Sequence, residues 1–91
     1  MPVISALMSV YNGAEFIAET IESILAQTYT DFELIIVNDG SIDQTRQVIE
    51  NFNDDRIRLF NFEQNQGIGP ALTLGLSKVR GTRASGNRFG G

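Results

Sequence analysis

The sequence has no cysteine and no histidine among its 91 residues. Without cysteine, the chain can form neither disulfides nor thiolate metal sites. Without histidine, the Ser-His and Cys-His nucleophile pairs and the usual zinc ligands are excluded. These absences remove whole classes of hydrolase and zinc enzyme, and the lack of cysteine leads us to expect a cytoplasmic protein.

Long apolar runs are also lacking. No run approaches the roughly 20 residues that a membrane-spanning helix needs. The apolar start, MPVISALMSV, has neither the basic residues nor the small-residue cleavage site of a signal peptide. We therefore expect no membrane span, and a single domain at most, since 91 residues suffice for only one core.

Acidic residues are missing from the last 28 residues of the chain. All eleven carboxylates lie at or before Glu63, whereas four of the seven basic residues fall within the last fourteen positions. From Gly81 the sequence is rich in glycine and has no periodicity, so we expect residues 82–91 to be a flexible, glycine-rich basic tail. Because this tail has no interleaved aromatic residues, we expect no nucleic-acid partner.

The remainder alternates between apolar runs and amphipathic segments. Val3–Val10 and Phe32–Val37 are almost continuously apolar, which is typical of strands buried on both faces of a parallel sheet. A third strand is predicted over Ile57–Phe62, with Arg56 and Arg58 alternating outward as on a strand near an edge.

Helices are predicted after each of these strands. Apolar residues recur at helical spacing over Ala14–Gln27, Thr45–Phe52 and Gly69–Val79. Two pairs of residues have the spacing of a capping box. They are Asn12 with Glu15, at the start of the first helix, and Ser41 with Gln44, at the start of the second. Strand and helix alternating through short connections predict a three-layer α/β fold with a mostly parallel sheet.

The strongest candidate for a site is the end of the second predicted strand. There, Asn38-Asp39-Gly40-Ser41 brings a carboxylate, a glycine and a hydroxyl to the carboxyl end of a buried strand, where open α/β sheets bind ligands. Tyr11, Asn12 and Asn65 are expected at the same edge. The alternative is that these residues only form turns, which they favour for local reasons.

No nucleotide-binding fingerprint identifies the ligand of this edge. Gly67-Ile68-Gly69 is followed by Leu72 where a dinucleotide motif has its third glycine, and no GxxxxGK[ST] motif occurs. The residues by themselves predict only a repeated strand–helix domain with a polar ligand edge.

Several motifs in combination resemble the amino-terminal part of family 2 glycosyltransferases of the GT-A fold. Across about Pro2 to Gly81 these motifs are MSVYNG at 8–13, IESILAQTY at 21–29, DFELIIVNDGS at 31–41 with Asp43 and Thr45, and NQG at 65–67. The resemblance implies that residues 1–81 are part of a Rossmann-like nucleotide-sugar-binding domain with strand order 3-2-1-4.

The resemblance also implies a site for the nucleotide of the sugar donor. Ser9, Val10 and Tyr11 would line the nucleoside, Asp39 would accept hydrogen bonds from the base or ribose, and Asn65 with Gly67 would close the pocket. The residue types suit these roles, because a ring can cover a planar base and a carboxylate only accepts hydrogen bonds. For Tyr11 the alternative is a packing residue at the start of a helix. The family often has proline where Ser9 stands.

Later parts of the family pattern have no counterpart in this sequence. The family's DxD-type acidic pair, which holds a divalent metal on the diphosphate, and its carboxylate base are missing, because no Asp or Glu follows Glu63. We expect no catalytic or metal-ligating residue here, although the full-length family implies Mg²⁺ or Mn²⁺. Nor do we expect tight metal binding or sugar transfer by this chain alone.

We therefore interpret the chain as a truncated, amino-terminal portion of a glycosyltransferase. Such an enzyme moves a sugar from a nucleoside-diphosphate sugar to an acceptor hydroxyl, and we expect this chain to bind the donor weakly. The alternative is a non-catalytic α/β module that binds a nucleotide or self-associates.

Without a fourth strand, the uncharged, apolar Val3–Val10 would be left as an edge. We consequently expect a homodimer through this first-strand edge.

Overall fold

The sheet is parallel and has its first two strands in the middle. A computed structural model describes residues 4–27 and 31–80, and the backbone of residues 83–90. The described strands pair in the order β3-β2-β1-β4. This confirms the predicted α/β class and the predicted order of the first three strands, whereas the fourth strand was expected to be missing. The elements are β1 (Ile4–Tyr11), α1 (Ile17–Gln27), β2 (Phe32–Asp39), α2 (Thr45–Glu50), β3 (Ile57–Phe62), α3 (Ile68–Ser77) and β4 (Arg83–Gly90).

Alternate residues of the central strands build two cores, one on each face of the sheet. On one face, even-numbered strand residues pack against α1 and α2; the fully or nearly buried members are Met8, Val10, Ile17, Ile21, Phe32, Leu34, Ile36 and Ile49. On the other face, odd-numbered residues pack against α3, and the buried members are Leu7, Ile35, Val37 and Ala71. The fold therefore has three layers. None of the described helices is long and apolar enough to cross a membrane.

Gly75, in the middle of α3, is required by the packing of that helix on β1. A Cβ atom at this position would lie 2.0 Å from Cδ1 of Leu7. Glycine within a helix is about 1 kcal/mol less favourable than alanine. Here a side chain would push α3 away from the sheet, so the close approach explains the glycine.

Residues 83–90 form β4 and not the flexible tail expected over 82–91. This strand pairs in parallel with the whole of β1, from Ile4 opposite Arg83 to Tyr11 opposite Gly90. The prediction was wrong because ladder hydrogen bonds join backbone groups, which a glycine-rich segment supplies as well as any other. β1 consequently has neighbours on both sides, and the reason for expecting a homodimer through its edge no longer holds.

Neither predicted capping box forms. The helix α1 begins at Ile17 and not at Ala14, and the Oδ1 atom of Asn12 accepts a hydrogen bond from the Ile42 N–H group (2.9 Å). The N-cap residue of α2, Gln44, has no side-chain capping bond. The side chains of Asn12 and Ser41 instead accept hydrogen bonds from each other's loops, a competition that local spacing does not reveal.

Arg58 points onto the α3 face of the sheet and not outward as predicted. Its Nη1 atom donates to the Glu33 carboxylate (2.8 Å) and to the Lys78 carbonyl oxygen (2.6 Å). The same carboxylate accepts hydrogen bonds from the Ser5 hydroxyl (2.6 Å), the Arg80 N–H group (2.6 Å) and Arg80 Nε (3.3 Å). This Glu33 cluster joins three strands to the segment that follows α3.

Candidate functional site

Asp39, the last residue of β2, is fully buried and binds the segment that precedes α3. Its Oδ1 atom accepts a hydrogen bond from the Gln66 N–H group (2.8 Å). Its Oδ2 atom accepts from the Gly67 N–H group (3.0 Å) and from Asn65 Nδ2 (3.2 Å). A carboxylate offers about four acceptor sites, so one site on Oδ1 has no described donor. The structure thus brings Asp39, Asn65 and Gly67 together.

Glycine at position 40 allows the segment before α3 to lie directly on the end of β2. Gly40 has a φ of +70°, in the left-handed region, and a Cβ atom there would lie 2.2 Å from the Asn65 backbone nitrogen. Asn65 Nδ2 also donates to the Asp39 carbonyl oxygen (3.2 Å). The glycine predicted as a flexible turn residue is therefore a contact point between two loops.

Tyr11 is the residue of β1 that is best placed beside Asp39. Val10 is in register with Asn38, so the next residues along the two strands, Tyr11 and Asp39, are neighbours at the carboxyl edge. Their side chains share the α3 face, since side chains alternate between the faces of a sheet. Tyr11 is half-buried and leaves part of its surface accessible.

Ser9 and Val10 are completely enclosed. Val10 packs into the core under α1 and α2, on the face opposite Asp39. Ser9 lies on the same face as Asp39, but its Oγ atom is buried and has no hydrogen-bond partner among the side chains that the structure describes. Of the three residues expected to line a nucleoside, the structure therefore leaves only Tyr11 with accessible surface.

The turn after β1 is held by side chains from the loop after β2. Three consecutive N–H groups donate to three side chains: Asn12 to Ser41 Oγ (2.8 Å), Gly13 to Thr45 Oγ1 (2.9 Å) and Ala14 to Asp43 Oδ2 (3.2 Å). We call the three acceptor residues, Ser41, Asp43 and Thr45, the brace. The sequence patterns placed Ser41 at the ligand edge and in a helix cap, Thr45 at the start of the second helix, and both Asp43 and Thr45 in a family motif. None of these predictions joined the three residues to the turn after β1.

Asp43 organises the brace and stays ionised. It accepts hydrogen bonds from both the N–H group and the hydroxyl of Thr45. Burial acts to raise the pKa of Asp43, but these bonds and the one from Ala14 outweigh it and hold the pKa below its usual range. Because the brace uses the N–H groups of the turn that leads into α1, they are not free to bind a phosphate.

Asn12 adopts the left-handed conformation that this sharp turn needs, with a φ of +53°. Asparagine tolerates this region better than most residues with a side chain. The carbonyl oxygen of the next residue, Gly13, then accepts hydrogen bonds from Phe16 and Ile17 and begins α1. Asn12 thus has the conformation of a turn residue, and its Oδ1 atom is engaged by the Ile42 N–H group.

The described residues provide no cluster for a metal ion. No group of three or more histidine, cysteine, aspartate or glutamate side chains lies together in residues 4–27 and 31–80. We therefore assign no metal ligand to them and derive no chemical step through a metal.

The family of the chain is decided by a match along most of its length. The family model for glycosyl transferase family 2 matches residues 5–83. The chain belongs to this family. The resemblance predicted from the motifs is thereby confirmed.

Relatives of this family 2 glycosyltransferase chain are considerably longer. An uncharacterised glycosyltransferase of Rickettsia prowazekii is 41% identical over 80 residues, which cover 88% of this chain and 24% of the relative. The uncharacterised glycosyltransferase EpsJ of Bacillus subtilis is 38% identical over 84 residues, covering 90% of this chain and 24% of that protein. The chain thus spans about a quarter of the length of these two relatives.

Solved structures of glycosyltransferases share the fold. The crystal structure of S. aureus TarS in complex with UDP aligns with a TM-score of 0.87 and 28% identity, covering 94% of this chain and 27% of that chain. A mannosyltransferase from Pyrobaculum calidifontis, in complex with GDP-Man and Mn²⁺, aligns with a TM-score of 0.75 and 26% identity, covering 87% of this chain and 25% of that one.

Proposed function

We propose that this chain supplies part of the donor-nucleotide site of a family 2 glycosyltransferase, at the edge formed by Tyr11, Asp39 and residues 65–67. The observation that carries the proposal is the similarity to TarS in complex with UDP over 94% of this chain. The carboxyl edge of the sheet supports it, because ligands of open α/β sheets bind there.

The available groups suit a nucleoside. The accessible part of the Tyr11 ring would cover the planar base, and the remaining acceptor site on Asp39 Oδ1 would take an N–H group of the base or a ribose hydroxyl. Asp39 is fully buried, so in this scheme the segment 64–67 has to shift to admit the ligand. Ser9 and Val10 would contribute through the shape of β1 and not through exposed side chains.

In the whole enzyme, the reaction proposed is transfer of a sugar from a nucleoside-diphosphate sugar to an acceptor hydroxyl. A divalent metal would offset the charge of the leaving diphosphate. Neither metal ligands nor a general base are assigned to the described residues, so we expect the chain by itself to bind the nucleotide weakly and to transfer no sugar. A cytoplasmic location stays a prediction.

Titration of the ¹⁵N-labelled chain with UDP, followed by NMR, tests the proposal. We expect amide shifts at Tyr11, Asp39 and residues 65–67, with or without Mg²⁺. Asp39→Asn should weaken binding by about 1.5–3 kcal/mol, or about 10- to 150-fold, because a hydrogen bond to a charged group is lost. Glu50→Gln, a change to an exposed ion pair on α2, is the control and should bind normally.

Two results would contradict this assignment. Shifts that map away from the carboxyl ends of β1 and β2 would place the ligand elsewhere, and equal binding by Asp39→Asn would remove Asp39 from the site. If UDP and GDP both fail to bind, the alternative of a non-catalytic or self-associating module becomes the better interpretation.

A further inference from the structure

We propose that the brace, Ser41, Asp43 and Thr45, consists of positioning residues that set Tyr11 for nucleotide binding without touching the nucleotide. The inference rests on the proposed function. It assigns a role to the loop after β2 that differs from the role of Asp39, although both lie within one short stretch of sequence.

The pattern of donors and acceptors shows how the brace works. The donors are consecutive, Asn12, Gly13 and Ala14, whereas the acceptors alternate as S-x-D-x-T from Ser41 to Thr45. The acceptors do not follow the order of the donors, because Gly13 pairs with Thr45 and Ala14 with Asp43. The two loops therefore do not pair residue by residue, and the three acceptor side chains converge on one turn. One further bond has its donor and acceptor exchanged between the two loops: the Ile42 N–H group donates to Asn12 Oδ1 (2.9 Å).

The hydroxyl of Thr45 is the central element of the brace. Thr45 is completely buried, and its Oγ1 atom accepts from the Gly13 N–H group while it donates to Asp43. The donor, Gly13, is buried as well, and a Cβ atom there would lie 2.6 Å from Val10 Cγ2. If the hydroxyl were removed, a buried N–H group would lose its partner with little space for water to replace it.

The position of Tyr11 follows from this constraint. Tyr11 is the last residue of β1 and directly precedes the turn that the brace holds. On its amino-terminal side the chain is fixed by pairing with β2 and β4. Tyr11 itself lies opposite Gly90 at the end of the β1–β4 ladder. Beyond Tyr11, the restraints that the described residues supply are the brace, the bond from Ile42 to Asn12 and the start of α1. Loosening the brace should therefore let the ring leave the place where it would cover a base.

Paired substitutions at Thr45 separate positioning from general stability. Thr45→Val keeps the shape and removes the hydroxyl, whereas Thr45→Ser keeps the hydroxyl. We expect Thr45→Val to raise the dissociation constant for UDP about fivefold, the factor that corresponds to one net hydrogen bond, and Thr45→Ser to bind nearly as the wild type does. The matched control is Thr20→Val, because the Thr20 hydroxyl donates only to the Phe16 carbonyl oxygen within α1.

Amide hydrogen exchange provides a readout that does not depend on UDP. In Thr45→Val the Gly13 amide should exchange faster than in the wild type, while the Ile35 and Val37 amides of β2 remain protected. If Thr45→Val fails to fold, Asp43→Ala serves in its place, because Asp43 is exposed. Its loss should free the Ala14 and Thr45 N–H groups and the Thr45 hydroxyl.

The outcomes are distinct. If the wild type binds UDP and Thr45→Val binds it equally well, the positioning role is wrong even if the variant is less stable. If the Gly13 amide exchanges at the wild-type rate in the variant, the brace does not hold the turn. If the wild type binds no nucleotide, the proposed function fails and the positioning role fails with it, whereas the exchange result still decides whether the brace holds the turn.

Discussion

Glu33 and Asp39 are buried carboxylates near opposite ends of β2, on the same face of the sheet, and they differ in the charge of their partners. Glu33 is paired with two arginines, Arg58 and Arg80. Asp39 accepts hydrogen bonds from amide groups only, and no ion pair to it is formed within the described part of the chain. One strand thus carries a carboxylate with two cationic partners near one end and, at the other end, a carboxylate whose donors among the described residues are amide groups.

The two carboxylates also differ in how completely they are used. The four hydrogen bonds to Glu33 from Ser5, Arg58 and Arg80 fill all of its acceptor sites. Asp39 has three and keeps one site. Both side chains restrain α3, since Asp39 binds the segment before it and Glu33 binds the segment after it. The partners of Glu33 are cationic and leave it no free acceptor site, which favours a structural role, whereas the neutral donors around Asp39 are compatible with the ligand-binding role proposed for it.

The largest effect is expected from removing the carboxylate of Glu33. Glu33→Ala would leave Arg58, whose side chain is 24% exposed, without its partner. Breaking a buried ion pair in this way should lower the free energy of unfolding by about 3 kcal/mol, measured by urea denaturation. Glu50→Ala is the matched control, because its pair with Arg46 is exposed and worth at most about 0.5 kcal/mol. Equal losses for the two variants would contradict a structural role for Glu33.

Acid should remove nearly as much stability through the same group. Burial acts to raise the pKa of Glu33, but the hydrogen bonds from Ser5, Arg80 and Arg58 outweigh it and lower the pKa from 4.5 to about 2. Between pH 4.5 and about 2, Glu33 is protonated in the unfolded chain but ionised in the folded chain. The unfolded state therefore binds more protons in this range, and the stability that Glu33 provides above pH 4.5 is lost as the pH falls toward 2. The loss should be roughly 2–3 kcal/mol.

Comparison with Glu33→Gln tests this pH dependence. Urea denaturation at several pH values below 5 should give a shallower decline in stability for the variant than for the wild type. Asp43 and Asp54, whose pKa values are also lowered, should still contribute the remaining slope. Parallel declines in the two proteins would show that Glu33 is not the group responsible.

The smallest loss of stability is expected at the other end of β2. Asp39→Asn keeps one acceptor oxygen and replaces the other by an NH₂ group. Because both Gln66 and Gly67 present N–H donors, one of them would then face another donor. We expect the free energy of unfolding to fall by about 1–2 kcal/mol. The amides of Gln66 and Gly67 should exchange faster, while Arg80, held by Glu33, should not change. A loss as large as that of Glu33→Ala would erase the distinction between the two carboxylates.

Local pattern was sufficient for most of the elements. β3 extends over Ile57–Phe62 as predicted, and β1 is displaced by only one residue, because apolar runs and helical periodicity reflect burial directly. β4 was missed because Arg83–Gly90 has no such pattern and becomes a strand only by pairing with β1.

The roles of polar residues were much harder to predict. Glu33 interrupts an apolar run, and nothing in that run indicates that it will bind Arg80, which lies 47 residues further along the chain. Ser41 matched a local helix cap but binds Asn12, which is 29 residues away. The identity of such residues restricts what they can bind, but it does not tell which donor will reach them.

Sequence patterns were enough for the layered α/β fold, because periodicity reflects the burial of whole elements, and the ordered motifs were enough for the family. The strand β4, the carboxylate that has cationic partners, the loop that holds the turn after β1 and the site residues that keep accessible surface became known only from the folded chain. The physical reason is that a hydrogen bond depends on atoms within about 3 Å of each other, and that proximity arises between distant segments only when the chain has folded.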